Sequence, residues 1–228
     1  MSKHICVDKN GKKIAPRTEG QFETVRIIDE HDVSFIDGPA GTGKTFLATC
    51  IAFDGFTQGK FDRIILVRPA IEAGENLGFL PGDLDEKISP YMRPLYDNLE
   101  MLFNAKELAG LMANKTIEVV PFAYMRGRTL DKSFIILDEA QNTTVTQMKM
   151  FLTRIGRNSK MVIVGDRSQN DLPRNQRSGF EHAQHILQDV KGIGMGAMTE
   201  KDIIRHKIIG EIIKAYDRDY NQDKSKPL

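Results

Sequence analysis

Five short apolar runs punctuate the chain: VSFID (33–37), RIILV (63–67), TIEVV (116–120), FIILD (134–138) and MVIVG (161–165). Each is rich in β-branched or aromatic residues and nearly continuous, with none of the alternation expected of a half-exposed strand. That pattern predicts strands buried on both faces of a parallel sheet. Helical spacing fills the intervals, as at 44–57, 91–112 and 142–156, and strand alternating with helix predicts an α/β, three-layer sandwich with a mostly parallel sheet. A sixth run, GIGMGAM (192–198), supplies a further strand. A final helix is expected over 201–217, where Ile203, Ile204, Ile208, Ile212 and Ile213 recur at helical spacing and most of them read as core. Residues 1–16 are polar and turn-rich and read as a loosely held arm, 17–219 as a single domain, and 220–228 as a frayed tail.

Composition narrows the class. With 228 residues, 40% of them hydrophobic and 28% charged, the chain can build one sizeable core. The polar opening MSKHICVDKNGKK is unlike a signal peptide, and no stretch approaches the roughly 18–20 apolar residues of a membrane span, so a cytoplasmic protein with no membrane partner is expected. Net charge is +1, which leaves no global basic field; any nucleic-acid contact must come from a local patch. Cys6 and Cys50 are too few for a disulfide framework or a zinc site. His182 and His185 sit three apart on an expected helix, but no cysteine or carboxylate completes a metal site there.

The strongest chemical signal is Gly38-Pro39-Ala40-Gly41-Thr42-Gly43-Lys44-Thr45, which fits G-x-x-x-x-G-K-[ST] between a strand and a helix. Glycines let the loop fold back so that backbone N–H groups converge on a phosphate at the positive end of the next helix. Lys44 is placed to reach the β- and γ-phosphate oxygens, and the Thr45 hydroxyl to ligate Mg²⁺. ATP and Mg²⁺ are the expected cofactors.

FIILDEAQN (134–142) ends a buried strand in two carboxylates, at the end of the sheet where open α/β folds bind ligands. Asp138 is expected to hold the metal through its water shell, and Glu139 to orient or deprotonate the attacking water. A second acid after the metal-binding one favours a hydrolase over a small-molecule kinase. In MVIVGDRSQND (161–171), Gln169 follows another buried strand and could hydrogen-bond the γ-phosphate or the water.

In order, DEAQ and GDxxQ look like motifs II and III of superfamily 1 helicases. The longer strings VRPAIEAGENLGFLPGDLDEK (67–87), PFAYMRGRTL (121–130), ILDEAQN (136–142), GDRSQNDLP (165–173) and DIIRH (202–206) resemble the PhoH-like ATPase family, over about residues 17–218. The resemblance implies a P-loop NTPase with a RecA-like core, ATP as nucleotide, and a link to RNA or single-stranded nucleic acid. Larger relatives carry a PIN nuclease or KH domain; 228 residues leave no room for either, so nuclease activity is not expected.

Several residues keep two readings. Gln21 stands where superfamily 1 helicases read adenine, yet Thr18-x-x-Gln21 also fits a helix capping box. Arg205 in DIIRH resembles an arginine that reaches the γ-phosphate, in cis or from a neighbour in a ring, with a homohexamer as the expected form; a plain surface arginine is the alternative. Phe122, Tyr124, Arg126 and Arg128 suit either stacking and holding a single strand or contacts between subunits. Arg68 could touch nucleic acid or a neighbouring subunit, and the segment 71–112 reads as a substrate-facing insertion. Two functions follow: an ATPase coupled to binding or remodelling of single-stranded RNA or DNA, or an ATP-gated oligomeric module with slow turnover and no strand separation.

Overall fold

A computed structural model describes residues 4–69, 84–173 and 175–204. Its centre is a six-stranded sheet of β3 (Val33–Asp37), β4 (Arg63–Arg68), β5 (Ile117–Pro121), β6 (Ser133–Leu137), β7 (Lys160–Gly165) and β8 (Ile193–Ala197), in spatial order β5-β4-β6-β7-β3-β8. Every neighbouring pair is parallel. The six predicted runs fall on these strands to within about two residues.

The residues alternate between faces, as a doubly covered sheet requires. Ile36, Ile64, Leu66, Phe134, Ile136 and Val162 point into one core cluster, while Phe35, Ile65, Val67, Ile135, Leu137 and Ile163 point into the other. The first face is covered by α1 (Glu19–Glu30), α2 (Lys44–Thr57), α3 (Leu84–Leu102) and α4 (Ala105–Ala113); the second by α5 (Val145–Leu152) and α6 (Gly179–Leu187). Both faces of β6 are therefore dry, and all five of its residues are buried.

Local chemistry sets the element ends. Thr18 caps α1 by accepting from Gln21 N at 3.2 Å. Thr144 and Gln147 form a reciprocal capping box that starts α5, three residues later than the pattern predicts, because a 3-10 turn (Ala140–Asn142) intervenes. The helix expected over 91–112 is two helices. The extended backbone of Asn104 (φ −68°, ψ 147°) ends one run and starts the next.

Within the expected loose arm, described residues 4–16 form a packed hairpin. β1 (Cys6–Val7) and β2 (Lys13–Ile14) pair as a hairpin whose turn is held by the Asp8 carboxylate, which accepts from Asn10 N and Lys12 N, each at 2.9 Å. Cys6 is buried, and Ile5 and Ile14 pack on the same core as α2. The expected 201–217 helix, with Arg205, lies outside the described residues beyond position 204. A 3-10 turn (Glu200–Asp202) precedes that point. Asp202 accepts from Gly20 N at 3.2 Å, and Ile204 N donates to Gly41 O at 3.1 Å. No helix among the described residues is long and apolar enough to cross a membrane.

Candidate functional site

The sheet order dictates where chemistry collects. β7 lies between β3 and β6, so the loops after β3, β6 and β7 open side by side at the carboxyl end of the sheet, with the end of β4 beyond them. Together they line a cleft of about 380 Å³ that includes Lys44, Thr45, Arg68, Asp138, Glu139 and Gln169.

The loop Gly38–Thr45 bends as its glycines permit. Gly43 holds φ 84° at the start of α2, and Gly38 holds φ 149° with no space beside it: a Cβ there would sit 2.7 Å from Met198 O. Lys44 is nearly buried, and its ammonium donates to Gly38 O at 2.6 Å and Pro39 O at 2.8 Å. Burial pushes its pKa down, while Asp166, Asp138, Glu139 and Asp37 oppose that shift. An ammonium resting on its own loop's carbonyls, at a helix N-terminus, is positioned to turn toward an arriving phosphate.

Opposite stands the acid pair. Thr45 Oγ1 donates to Asp138 Oδ1 at 2.6 Å. Burial pushes the Asp138 carboxyl up from its ordinary range, an effect the Arg68 guanidinium opposes. A desolvated carboxylate touching a hydroxyl fits Mg²⁺, which takes few protein ligands and keeps water and phosphate in its shell. Among the described residues no cluster of three or more His, Cys, Asp or Glu could hold a metal.

Glu139 adopts the left-handed conformation (φ 52°, ψ 39°), which costs a residue with a side chain about 1–2 kcal/mol. Its carboxylate is held at both ends. Arg68 Nη2 donates to Oε1 at 3.1 Å, and Gln141 Nε2 donates to Oε2 at 2.6 Å. Gln141 also donates to Gln169 O at 3.1 Å and accepts from Asp166 N at 3.0 Å through Oε1. One buried amide thus ties the acid turn to the loop after β7. Gln169 lies in the cleft with its side-chain amide on Asp166 Oδ2 at 2.9 Å.

A second cleft, also about 380 Å³, opens beyond the phosphate loop between Ile14, Pro16, Gln21, Phe46, Met101 and Ile204. Gln21 is buried in its wall. Its Nε2 donates to Thr42 O at 2.9 Å and its Oε1 accepts from Arg17 N at 2.8 Å. The Thr18 hydroxyl supplies the cap, but the reciprocal half of a capping box is replaced by the Arg17 contact.

The proposed nucleic-acid residues divide. Phe122 is 5% exposed and stacks on Phe151 with ring centroids 5.5 Å apart, so it belongs to the core and not to a stacking surface. Arg128 pairs with Glu118 at 2.7 Å, which Arg63 also engages. Tyr124 and Arg126 are exposed on the same turn. Arg68, read from sequence as a candidate contact to nucleic acid or a neighbouring subunit, faces the acid pair. The amide of Gln141 has no role in the sequence reading; its only signal there is a polar residue four positions past a buried strand end. α3, within the insertion that suggested no chemistry, contributes Pro94 and Asn98 to the cleft wall.

Comparison with known proteins agrees with this architecture. The family model described as PhoH-like protein matches residues 13–217. The chain is 48% identical over 223 residues to a PhoH-like protein of Synechocystis, covering 98% of this chain and 68% of that protein. It is 51% identical over 214 residues to the Bacillus subtilis PhoH-like protein, covering 94% and 67%. To Protein PhoH of Escherichia coli it is 40% identical over 205 residues, covering 89% and 58%. The chain therefore spans roughly three-fifths to two-thirds of the length of these relatives. Among solved structures, the large terminase of a thermophilic bacteriophage superposes in two crystal forms, with TM-scores of 0.50 and 0.51 at 14% and 16% identity. Each match covers 87% of this chain and 50% or 49% of that one, a likeness of fold alone.

Proposed function

This chain belongs to the PhoH-like protein family, and from that premise we propose that it is an ATPase whose hydrolysis is coupled to binding or remodelling single-stranded RNA or DNA. The observation that carries the reading is the convergence of Lys44, Thr45, Asp138 and Glu139 in one cleft, sealed by the 2.6 Å contact between Thr45 and Asp138. In this proposal residues 17–219 act as one ATPase unit.

The β- and γ-phosphates lie along Gly38–Thr45, with loop N–H groups and Lys44 as donors. Thr45 and Asp138 hold Mg²⁺, which neutralises phosphate charge when bound. Glu139 accepts a proton from the attacking water. Gln169 and Asp166, at the end of β7, register whether the γ-phosphate is present. The base enters the second cleft, where Phe46 and Ile204 offer apolar faces and Gln21 an amide with one hydrogen and one lone pair to spare. Tyr124 and Arg126 are the exposed candidates for holding a strand, and Arg205 completes the site from within the chain or from a neighbour in a homohexameric ring.

A second reading has a specific observation behind it: both oxygens of Glu139 are occupied by Arg68 and Gln141. A base held in this way suits an ATP-gated module with slow turnover. The ATPase rate with and without single-stranded RNA decides between them. Several-fold stimulation supports the coupled ATPase. An unchanged, slow rate with ATP-dependent assembly supports the module, and no affinity for Mg-ATP would sink both.

A further inference from the structure

We propose that Arg68 is a catalytic arginine of this ATPase, exchanging its grip on Glu139 for the γ-phosphate when ATP binds; the inference rests on the ATPase reading above.

Among the described residues lining the cleft, Lys44 and Arg68 are the two cations, facing the carboxylates of Asp138, Glu139 and Asp166. Lys44 serves the phosphate loop itself. Arg68, at the carboxyl end of β4, is four-fifths covered and spreads its guanidinium over three partners. Nη2 donates to Glu139 Oε1 at 3.1 Å, Nη1 donates to Tyr91 O at 3.0 Å, and Nε lies 3.9 Å from Asp138 Oδ2. In this state the arginine supplies the positive charge that buried acids require.

A γ-phosphate brings more negative charge into that cleft than one carboxylate, in a geometry a guanidinium can grip with two parallel N–H groups. Moving from Glu139 to the phosphate has two consequences. Charge on the transferring phosphoryl group is stabilised, and Glu139 Oε1 is freed for water while Gln141 keeps Oε2 in place. The water oxygen then bonds to the γ-phosphorus as the bond to the ADP oxygen breaks, and the water proton passes to Glu139. The base is thus masked until the substrate displaces its mask, which couples activation to the presence of the third phosphate.

The Tyr91 contact gives the arginine a fixed pivot. α3 contains Pro90 and Pro94, and Pro94 has no N–H to donate to Pro90 O, so the helix ladder is interrupted beside the carbonyl of Tyr91 that Arg68 engages.

The test compares affinities for ADP and for the β,γ-imido analogue of ATP, together with Mg-ATP turnover, in wild type, Arg68→Ala and Arg68→Lys. Both variants should lose about tenfold or more in analogue affinity with ADP affinity within about twofold, and kcat should fall on the order of 10³-fold. Arg68→Lys keeps a charge beside the acids, so its ADP affinity also reports an intact fold. Equal losses for ADP and analogue, or turnover matching wild type, overturn the proposal while leaving the ATPase reading standing. So does a loss of single-stranded RNA affinity with analogue binding unchanged. A wild type that binds neither nucleotide overturns both.

Discussion

The hydroxyl of Thr45 and the carboxylate of Asp138 meet at 2.6 Å although 93 residues separate them, one at the start of α2 and the other just past the end of β6. Neither β3 nor β6 touches the other; β7 runs between them, and the contact spans its end. Such a placement keeps an acid desolvated, and the protein bears that cost before any ligand arrives.

That cost makes a stability prediction. Because burial raises the folded-state pKa of Asp138, a proton binds the folded form better than the unfolded one. Wild type without nucleotide should therefore gain stability as pH falls through that raised value. Asp138→Asn, which resembles the protonated acid, should melt higher at neutral pH by several degrees, on a scale of about 2–4 °C per kcal/mol. The difference should shrink on acidification, and the variant should lose Mg²⁺-dependent turnover. Thermal melts from about pH 4 to 8 check the sign.

Lys44→Ala removes the side chain proposed to reach the β- and γ-phosphate oxygens. Its two bonds to Gly38 O and Pro39 O are lost as well, so the loop should loosen slightly. Triphosphate affinity should drop at least about tenfold and turnover should vanish, measured by titration with Mg-ATP and by phosphate release.

Glu139→Gln keeps the shape and can keep the hydrogen bond to Gln141 by turning its amide oxygen toward it. Binding of Mg-ATP should persist while hydrolysis falls by about 10²–10⁴-fold, the usual contribution of a positioned base. Full turnover by this variant would remove Glu139 from the assigned role.

These sites differ in how openly the sequence announces them. Gly38–Thr45, Asp138 and Glu139 were legible because each sits where an apolar run stops, and a parallel sheet brings all such stops to one edge. The strands were legible for the same reason: burial on both faces leaves few polar interruptions. Phe122 was misread because composition cannot tell which way an aromatic turns; its 3-10 turn (Phe122–Met125) points the ring at Phe151. For Arg68 the sequence suggested contact with nucleic acid or a neighbouring subunit and not the acid pair, which adjacency of β4 to β6 turns it toward. The role of Gln141 depends on three partners from two loops, a relationship no local pattern carries.

If Arg205 acts between subunits, active sites are shared. Lys44→Ala and Arg205→Ala should each be inactive alone, yet mixing them should restore a fraction of turnover, because some sites then combine an intact Lys44 with a neighbour's intact Arg205. Solution mass with Mg-ATP should rise to a multiple of the protomer. A mixture that stays inactive assigns Arg205 to its own chain or to no catalytic role.

Gln141→Leu isolates the connection between the acid turn and the loop after β7. The leucine fills a similar volume, but Asp166 N and Gln169 O lose their shared partner and Glu139 Oε2 loses its 2.6 Å donor. Leaving such buried groups unpaired costs about 1–3 kcal/mol each, so the melting temperature should fall. The diagnostic effect is kinetic. Lys44, Thr45 and Asp138 are untouched, so KM for Mg-ATP should change little, while kcat falls about 10–100-fold because the base is no longer aimed. Gln141→Glu should not rescue it, since a carboxylate offers Glu139 no donor. Parallel losses in KM and kcat would instead mean that the amide supports the binding cleft as a whole.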